Sequence, residues 1–368
     1  MVSSFQTSAP APEEMLPSPE EAARKAEVTA QLKHLQAPTL GNDLVSLGMV
    51  RHLRVVDDYV YLRLYVGAHQ LGLEHQVQQC LLELPWVKKA YVQLCTIPGV
   101  RTTLAVASGK GGVGKSTTAV QLAIALTRTG AKVGLLDADI YGPNVPQLLG
   151  LGQAQVEVVE TSGRQRFVPL EAQGIKLMSV GLLAEPDHPL AWRGPVLHKN
   201  LTQFIQQVAW GELDYLLVDL PPGTGDAQIT LVQESPICGD RMVTTPHAIA
   251  LADLRRSVHM FRQVGVPVLG LIENMSYLVC PCCDTRTPIF GSGGGAQISA
   301  ELSVPLWGQV PIAPSLSEAG EAVLTADSVH TGIFDSIAQG LNETFGAWGV
   351  GTKTETLAAQ SVPSAPRT

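Results

Sequence analysis

Gly109-Lys110-Gly111-Gly112-Val113-Gly114-Lys115-Ser116-Thr117 satisfies G-x-x-x-x-G-K-[ST], a loop whose backbone N–H groups wrap nucleotide phosphates. Residues 104–108 before it form a short apolar run, read as a buried parallel strand. After it, residues 117–129 place Val120, Leu122, Ala123, Ala125 and Leu126 mostly on one side, and Gly130 is a natural stop. Strand, glycine loop and helix in succession is the context a phosphate loop requires. The expected fold class is therefore α/β: a P-loop NTPase with a mostly parallel sheet flanked by helices, preceded by a small α+β domain.

The loop assigns chemistry to its own residues. Lys115 is placed to reach the β- and γ-phosphates of ATP, Ser116 to ligate Mg²⁺, and Thr117 to bond the α-phosphate. The helix start adds its positive dipole end. Two further apolar runs end in acid. Residues 132–136 lead into Asp137-Ala138-Asp139, and residues 215–218 lead into Asp219 and then Leu220-Pro221-Pro222-Gly223-Thr224-Gly225-Asp226. An aspartate at the carboxyl end of a parallel strand borders the ligand crevice; a lone one is equally read as a helix cap. Asp219 is the candidate Mg²⁺ group, Asp139 the candidate for orienting the attacking water, and Asp137 a helper near the metal. Residues 220–226 are read as a switch segment that moves after hydrolysis.

Lys110, together with Asp137, Asp139 and Asp219, resembles the deviant Walker-A ATPases, the group containing MinD and the nitrogenase iron protein. Within that group the chain is most similar to the Mrp/ApbC branch, the bacterial iron–sulfur cluster carriers. The likeness lies in residues 108–118, 136–144, 192–195, 219–226, 244–246, 273–277 and 290–295, and covers about residues 40 to 325. It implies ATP hydrolysis within a homodimer, with Lys110 crossing to the partner's phosphates. A cation supplied in trans is worth about 10³–10⁵ in rate. It also implies that Asn274 contacts the adenine base; a polar cap at a strand end is the plainer alternative.

Cys280-Pro281-Cys282-Cys283 contains C-x-x-C in a segment rich in turn formers. One such pair offers two thiolates, whereas a tetrahedral centre wants four, and a twofold dimer would complete the set. The family is understood to hold a [4Fe–4S] cluster between subunits in this way, through the residues matching Cys280 and Cys283. Four sulfurs also suit Zn²⁺, so composition leaves the metal open, and a reduced pair without metal is a further alternative. The chain departs from the usual family form: Cys282 fills the variable slot and Asp284 stands where glycine is common. Cys282 is left as third ligand, alternative ligand or bystander. Cys80 shares a helical face with Leu73, Val77, Leu81 and Leu84 and is read as core. Cys95 falls in a strand-like run and Cys238 in a loop.

The chain's 368 residues carry a net charge of −8 and 45% hydrophobic residues. The charge argues against a nucleic-acid platform. No apolar stretch approaches the about 18 residues of a membrane span. The amino terminus lacks the basic start and apolar run of a secretory signal. Six cysteines without a disulfide-scaffold pattern fit a reducing cytoplasm.

The expected organisation is a disordered stretch over 1–18, a small α-β-β-α-β domain over 19–97, a linker over 98–103, the ATPase domain over 104–345 and a flexible tail over 346–368. Ser18-Pro19-Glu20-Glu21 reads as a capping box, and Asp57-Asp58 as the turn of a hairpin. The small domain resembles one at the front of many Mrp proteins, on Val45-Ser46-Leu47-Gly48-Met49-Val50. Its usual Asp-Pro-Glu is replaced near Ala37-Pro38-Thr39, and its reactive cysteine near Gly67-Ala68-His69-Gln70. This leaves docking, regulation or a structural appendage as its roles.

The leading function is an ATP-dependent carrier that passes its cluster to apo-proteins, with iron–sulfur scaffold and recipient proteins as partners. A positioning or partition ATPase is the alternative, but residues 352–368 carry only Lys353 and Arg367 as basic groups and no clear apolar face for a membrane. A zinc-bridged dimeric scaffold is another. A reductase like the nitrogenase iron protein is weaker, because no cysteine falls in residues 137–144 or 219–226.

Overall fold

The computed structural model describes residues 18–37, 43–67, 70, 72–140, 142–161, 164–183, 205–312 and 328–345. The expected disordered start (1–17), residues 38–39 and 68–69, the family-like stretch 192–195 and the tail 346–368 lie outside them.

The first unit begins with α1 (Pro19–Leu32), where the Ser18 hydroxyl accepts from the Glu21 amide as the capping box requires. Strands β1 (Val50–Val56) and β2 (Tyr59–Tyr65) form the hairpin, α2 (Leu73–Leu82) follows, and β3 (Lys89–Cys95) returns parallel to β2. Val28, Leu32, Val60, Leu62, Leu64, Val77 and Leu81 bury themselves between the two helices and one sheet face. Cys80 is buried there, as its helical spacing implies.

The second unit is built on β4 (Val100–Ala107), α3 (Lys115–Arg128), β5 (Val133–Asp137), the short α4 (Val145–Leu148), β6 (Val158–Thr161), β7 (Arg164–Phe167), β8 (Leu170–Ala172), β9 (Ile175–Ser179), β10 (Leu213–Asp219), α5 (Asp226–Glu234), β11 (Gly239–Thr244), α6 (Ala248–Gln263), β12 (Val268–Glu273), β13 (Leu278–Val279), β14 (Arg286–Thr287), α7 (Gly294–Leu302), β15 (Leu306–Gln309) and α8 (Ser328–Phe345). The main sheet has the order β15-β12-β11-β4-β10-β5-β9-β8, with every neighbour parallel except the edge strand β8. Leu231, Leu254, Val258 and Ile298 cover one face; Val120, Leu122, Phe334 and Leu341 cover the other. Covering on both faces accounts for the continuous apolar runs of the strands.

One boundary differs from expectation. Most of the stretch read as linker, 98–103, is strand: Val100, Thr102 and Thr103 pair with Leu213, Tyr215 and Leu216 of β10. Thr102 and Thr103 are buried because the ladder satisfies their backbones, not because their side chains are apolar. The polar side chains hid the strand start from a hydrophobicity-based reading. The true break is at Gly99, whose φ of +79° packs it against the Gly211 carbonyl.

Candidate functional site

Chain order reverses beside β4: α3 leads to β5 on one side of the sheet, and β11 lies on the other. Ligands bind above the carboxyl ends of strands at such a point. The register aligns Asp219 with both Val106 and Asp137, so two carboxylates and the phosphate loop share one edge. The loop crosses into α3 at Gly114, whose φ of +81° only glycine adopts without strain. A side chain there would also strike the Asn274 amide.

Lys115 Nζ lies 2.6 Å from Asp219 Oδ1 and 3.9 Å from Asp139 Oδ2. Ser116 Oγ donates to Asp219 Oδ2 at 2.5 Å. Asp219 is fully buried; burial pushes its pKa up, and the Lys115 ammonium and the Ser116 hydroxyl pull it back. Asp137 is pushed up to about 7, first by burial and then by the charge of Asp219. The Asp139 amide (3.1 Å), the Ser179 hydroxyl (3.0 Å) and the Val145 amide (3.2 Å) hold its two oxygens. Asp137 is thereby a fixed girder under the Asp139 loop. Ser179, at the end of β9, is its unforeseen partner; only the parallel register of β5 and β9 brings it there.

A cleft of roughly 350 Å³ opens over these groups, lined by Lys110, Gly111, Gly112, Gly114, Lys115, Ser116, Thr117 and Asp139, with Asn144, Gln147 and Pro222. Lys110 is exposed at its rim, and the Lys110 carbonyl accepts from Ser108 Oγ (3.0 Å). Hard oxygens of Ser116 and Asp219 beside an ammonium suit Mg²⁺ and phosphate. Asn274 is placed apart from this lining: its Nδ2 donates to the Val113 carbonyl (2.8 Å) behind the loop. It ties the end of β12 to the phosphate loop.

Six residues beyond Asn274 the chain reaches the cysteines. β13 and β14 pair as Leu278 with Thr287 and Val279 with Arg286, and Ile312 anchors the base through its amide to the Tyr277 carbonyl (2.7 Å). At the tip the Asp284 amide donates to the Cys280 carbonyl (2.9 Å), and the Cys280 amide to the Thr285 carbonyl (3.0 Å). The first of these bonds closes a single helix-like turn. Positions three apart share a side of such a turn, so Cys280 and Cys283 face together, while Cys282 is rotated by about 200° from Cys280 at about 100° per residue. Cys283 Sγ and Thr285 Oγ1 are hydrogen-bonded at 3.2 Å; that bond, the Thr285 amide and the Cys280 thiol lower the Cys283 pKa. Asp284 has a φ of +56°, which explains why glycine suits the position and why aspartate, tolerant of left-handed backbone, can replace it.

Residues 281–293 are exposed without interruption, Ile289 (50%) and Phe290 (41%) included. Among the described residues no group of three or more His, Cys, Asp or Glu side chains could hold a metal ion. No described helix is long and apolar enough to cross a membrane.

Residues 99–342 match the family described as NUBPL iron-transfer P-loop NTPase, and residues 25–94 the family described as iron–sulfur cluster assembly protein. An iron–sulfur cluster carrier protein of Synechocystis is 45% identical over 312 residues, which are 80% of this chain and 88% of that one. One from Escherichia coli is 41% identical over 318 residues, 82% and 85% of the two chains. Among solved structures, a nucleotide-binding protein of Archaeoglobus fulgidus in complex with ADP is 35% identical, with a TM-score of 0.52, over 66% of this chain and 88% of its own.

Proposed function

Since the chain belongs to the iron–sulfur cluster carrier family of P-loop NTPases, we propose that it hydrolyses ATP and carries a [4Fe–4S] cluster between two copies of itself for delivery to apo-proteins. The observation that carries the proposal is the cysteine turn. It presents two thiols on one side of an exposed hairpin, half the set a cubane needs. Twofold symmetry supplies the other half, and the exposed Ile289 and Phe290 are apolar surface for a second copy to cover. The lowered pKa of Cys283 favours the thiolate, the form that ligates iron. Cys282, turned away, takes no part in ligation.

The residues divide the nucleotide work. Backbone amides of residues 109–115 cradle the phosphates, Lys115 exchanges its bond to Asp219 for the β- and γ-oxygens, and Thr117 holds the α-phosphate. Ser116 and Asp219 would hold Mg²⁺, which when bound neutralises charge developing on the phosphoryl oxygens. Asp139 orients the attacking water, and Asp137 keeps the Asp139 backbone in place. Lys110, exposed at the rim, reaches the partner's phosphates. Asn274, whose Nδ2 holds Val113, meets the base with its remaining amide oxygen, on the side of the loop away from the phosphate cleft.

Nucleotide and cargo are coupled by the dimer: ATP and ADP favour different geometries, and so different grips on the cluster. None of the six cysteines is in a disulfide, which supports a reducing cytoplasm. The test is anaerobic reconstitution with iron and sulfide, followed by iron content, absorption spectra and sizing, for the wild type and for Cys280→Ala, Cys282→Ala and Cys283→Ala. Cluster bound by dimers, lost in the 280 and 283 variants only, is the expected result. Zinc in place of iron in anaerobically purified protein would instead support the scaffold alternative.

A further inference from the structure

The outer face of the small sheet is half covered. Arg51 pairs with Arg63 across the hairpin, and the register slips between Arg51 and Arg54. His52, at a φ of +52°, takes up the extra residue. The bulge lets Arg51 leave its own domain. Its Nη1 donates to the Val232 carbonyl (2.9 Å) and the Ser235 carbonyl (3.4 Å), its Nη2 to the Ile237 carbonyl, and its Nε to its own Gly48 carbonyl (3.0 Å). Tyr65 lies under the guanidinium at 4.4 Å and donates its hydroxyl to the Gln233 carbonyl (2.8 Å). Arg51 is 6% exposed and Tyr65 1%. Gly48, at a φ of +63°, closes the seam: a side chain there would strike the Gly265 carbonyl and Pro267.

The acceptors that Arg51 reaches are main-chain carbonyls, and those of the second unit cluster at the carboxyl end of α5. The helix dipole favours a cation there. Burying a guanidinium is costly unless its donors are satisfied, and a plain tether between domains would not need one. The other end of α5 is the switch: Gly225 caps the helix, and the Gly223 amide donates to the Ser108 carbonyl (2.9 Å) at the start of the phosphate loop. A helix of nine residues, about 13 Å long, therefore has the phosphate loop at one end and Arg51 at the other.

We propose that Arg51 is a positioning residue for nucleotide turnover: by clamping the carboxyl end of α5, the small domain sets where residues 220–225 rest against the phosphate loop. This rests on the ATPase reading above. A short helix moves as a rod, so a γ-phosphate contact that displaces Gly223 must shift or open the clamp. Linkage makes the effect reciprocal for binding: nucleotide changes small-domain docking, and docking changes nucleotide binding by the same factor. Lysine keeps the charge but reaches the diverging carbonyls one at a time.

The test uses the full chain and two readouts. Hydrogen exchange is followed at residues 48–56 and 229–238 with Mg-ADP and with a non-hydrolysable Mg-ATP analogue, and steady-state hydrolysis is measured in parallel. In the wild type, exchange at both segments is expected to differ between the nucleotides. Arg51→Met should raise exchange at both by about tenfold and lower kcat about fivefold, with KM moved by the lost linkage. Arg51→Lys should fall between, and the exposed Arg54→Met should match the wild type. Faster exchange with unaltered kcat would make Arg51 a mere staple and overturn the proposal. If Arg51→Met does not fold, Arg51→Lys and Tyr65→Phe decide, and an unchanged kcat in both overturns it. If the wild type binds ADP but hydrolyses nothing, the ATPase reading fails by itself. The exchange arm still rules on the clamp: equal exchange at 48–56 with either nucleotide overturns it, and different exchange sustains it.

Discussion

The phosphate loop and the cysteine hairpin are built on opposite plans. Around the loop, Lys115, Asp137, Asp139 and Asp219 are buried and bonded to one another, and every strand that supports them is interior. At the hairpin, two thiols stand on a two-residue ladder with residues 281–293 exposed. A rigid, pre-organised site suits chemistry in which positioning does most of the work. An open, half-complete site suits cargo that must be taken up and let go. Burial thus separates what one chain fixes by itself, Lys115 and its carboxylates, from what would meet a second copy, the hairpin thiols and the exposed Lys110.

The largest effect expected bears on that division. If hydrolysis needs a cation from the second copy, Lys110→Ala should lower kcat by about 10³ while leaving ADP binding within about twofold. Turnover of the wild type should rise with protein concentration and that of the variant should not. Phosphate release against concentration, with a fluorescent ADP analogue for binding, checks both. Wild-type kcat independent of concentration far below the dimer's Kd would mean that the nucleotide site is complete in one chain and that Lys110 does not act across an interface.

Next in size is the hairpin. Cys280→Ala and Cys283→Ala should each reduce reconstituted iron about tenfold or more, because a missing thiolate leaves the centre short of a ligand in both halves of the dimer. Cys282→Ala should retain nearly all of it. ATP hydrolysis should stay within about twofold in all three, since no hairpin cysteine lines the phosphate cleft. Iron loss in the 282 variant would mean that the turn faces its thiols differently from the i, i+3 pairing described.

A smaller effect tests whether the two plans communicate. Asn274 holds Val113 of the loop and stands six residues before Cys280. Asn274→Ala should remove that tie at a cost of about 1 kcal/mol. The ratio of cluster-transfer rates with ATP and ADP should then shrink toward one, while iron content is kept. An unchanged ratio would place the coupling elsewhere, α5 being the other connection out of the loop.

How much of this the chain discloses in its own letters follows the same divide. The phosphate loop, its strand-end carboxylates and the C-x-x-C spacing are local patterns, and the residues they name lie together or on one turn as expected. What stayed hidden is long-range or conformational. Ser179 reaches Asp137 through strand register, and Thr102 and Thr103 are strand in spite of their polarity. The Arg51 clamp joins groups 186 residues apart through a bulge that hydrophobic alternation does not reveal. Asn274, known only by likeness, is held on the far side of the loop by a bond no spacing rule contains.

The smallest effect concerns the departure at Asp284. Left-handed backbone costs a non-glycine residue about 1–2 kcal/mol; glycine removes that cost but adds about 0.5–1 kcal/mol of unfolded-chain entropy. Asp284→Gly should therefore stabilise the turn slightly. It also removes a carboxylate from the chain beside Cys283. The global Tm should not move, because the hairpin is an exposed two-residue ladder outside both core clusters of its domain. Exchange of the Asp284 and Thr285 amides should slow about two- to fivefold, read in the apo-protein by mass spectrometry. A shifted Tm would show that the hairpin is packed into the cooperative core. The hairpin would then share the fixed construction of the phosphate loop.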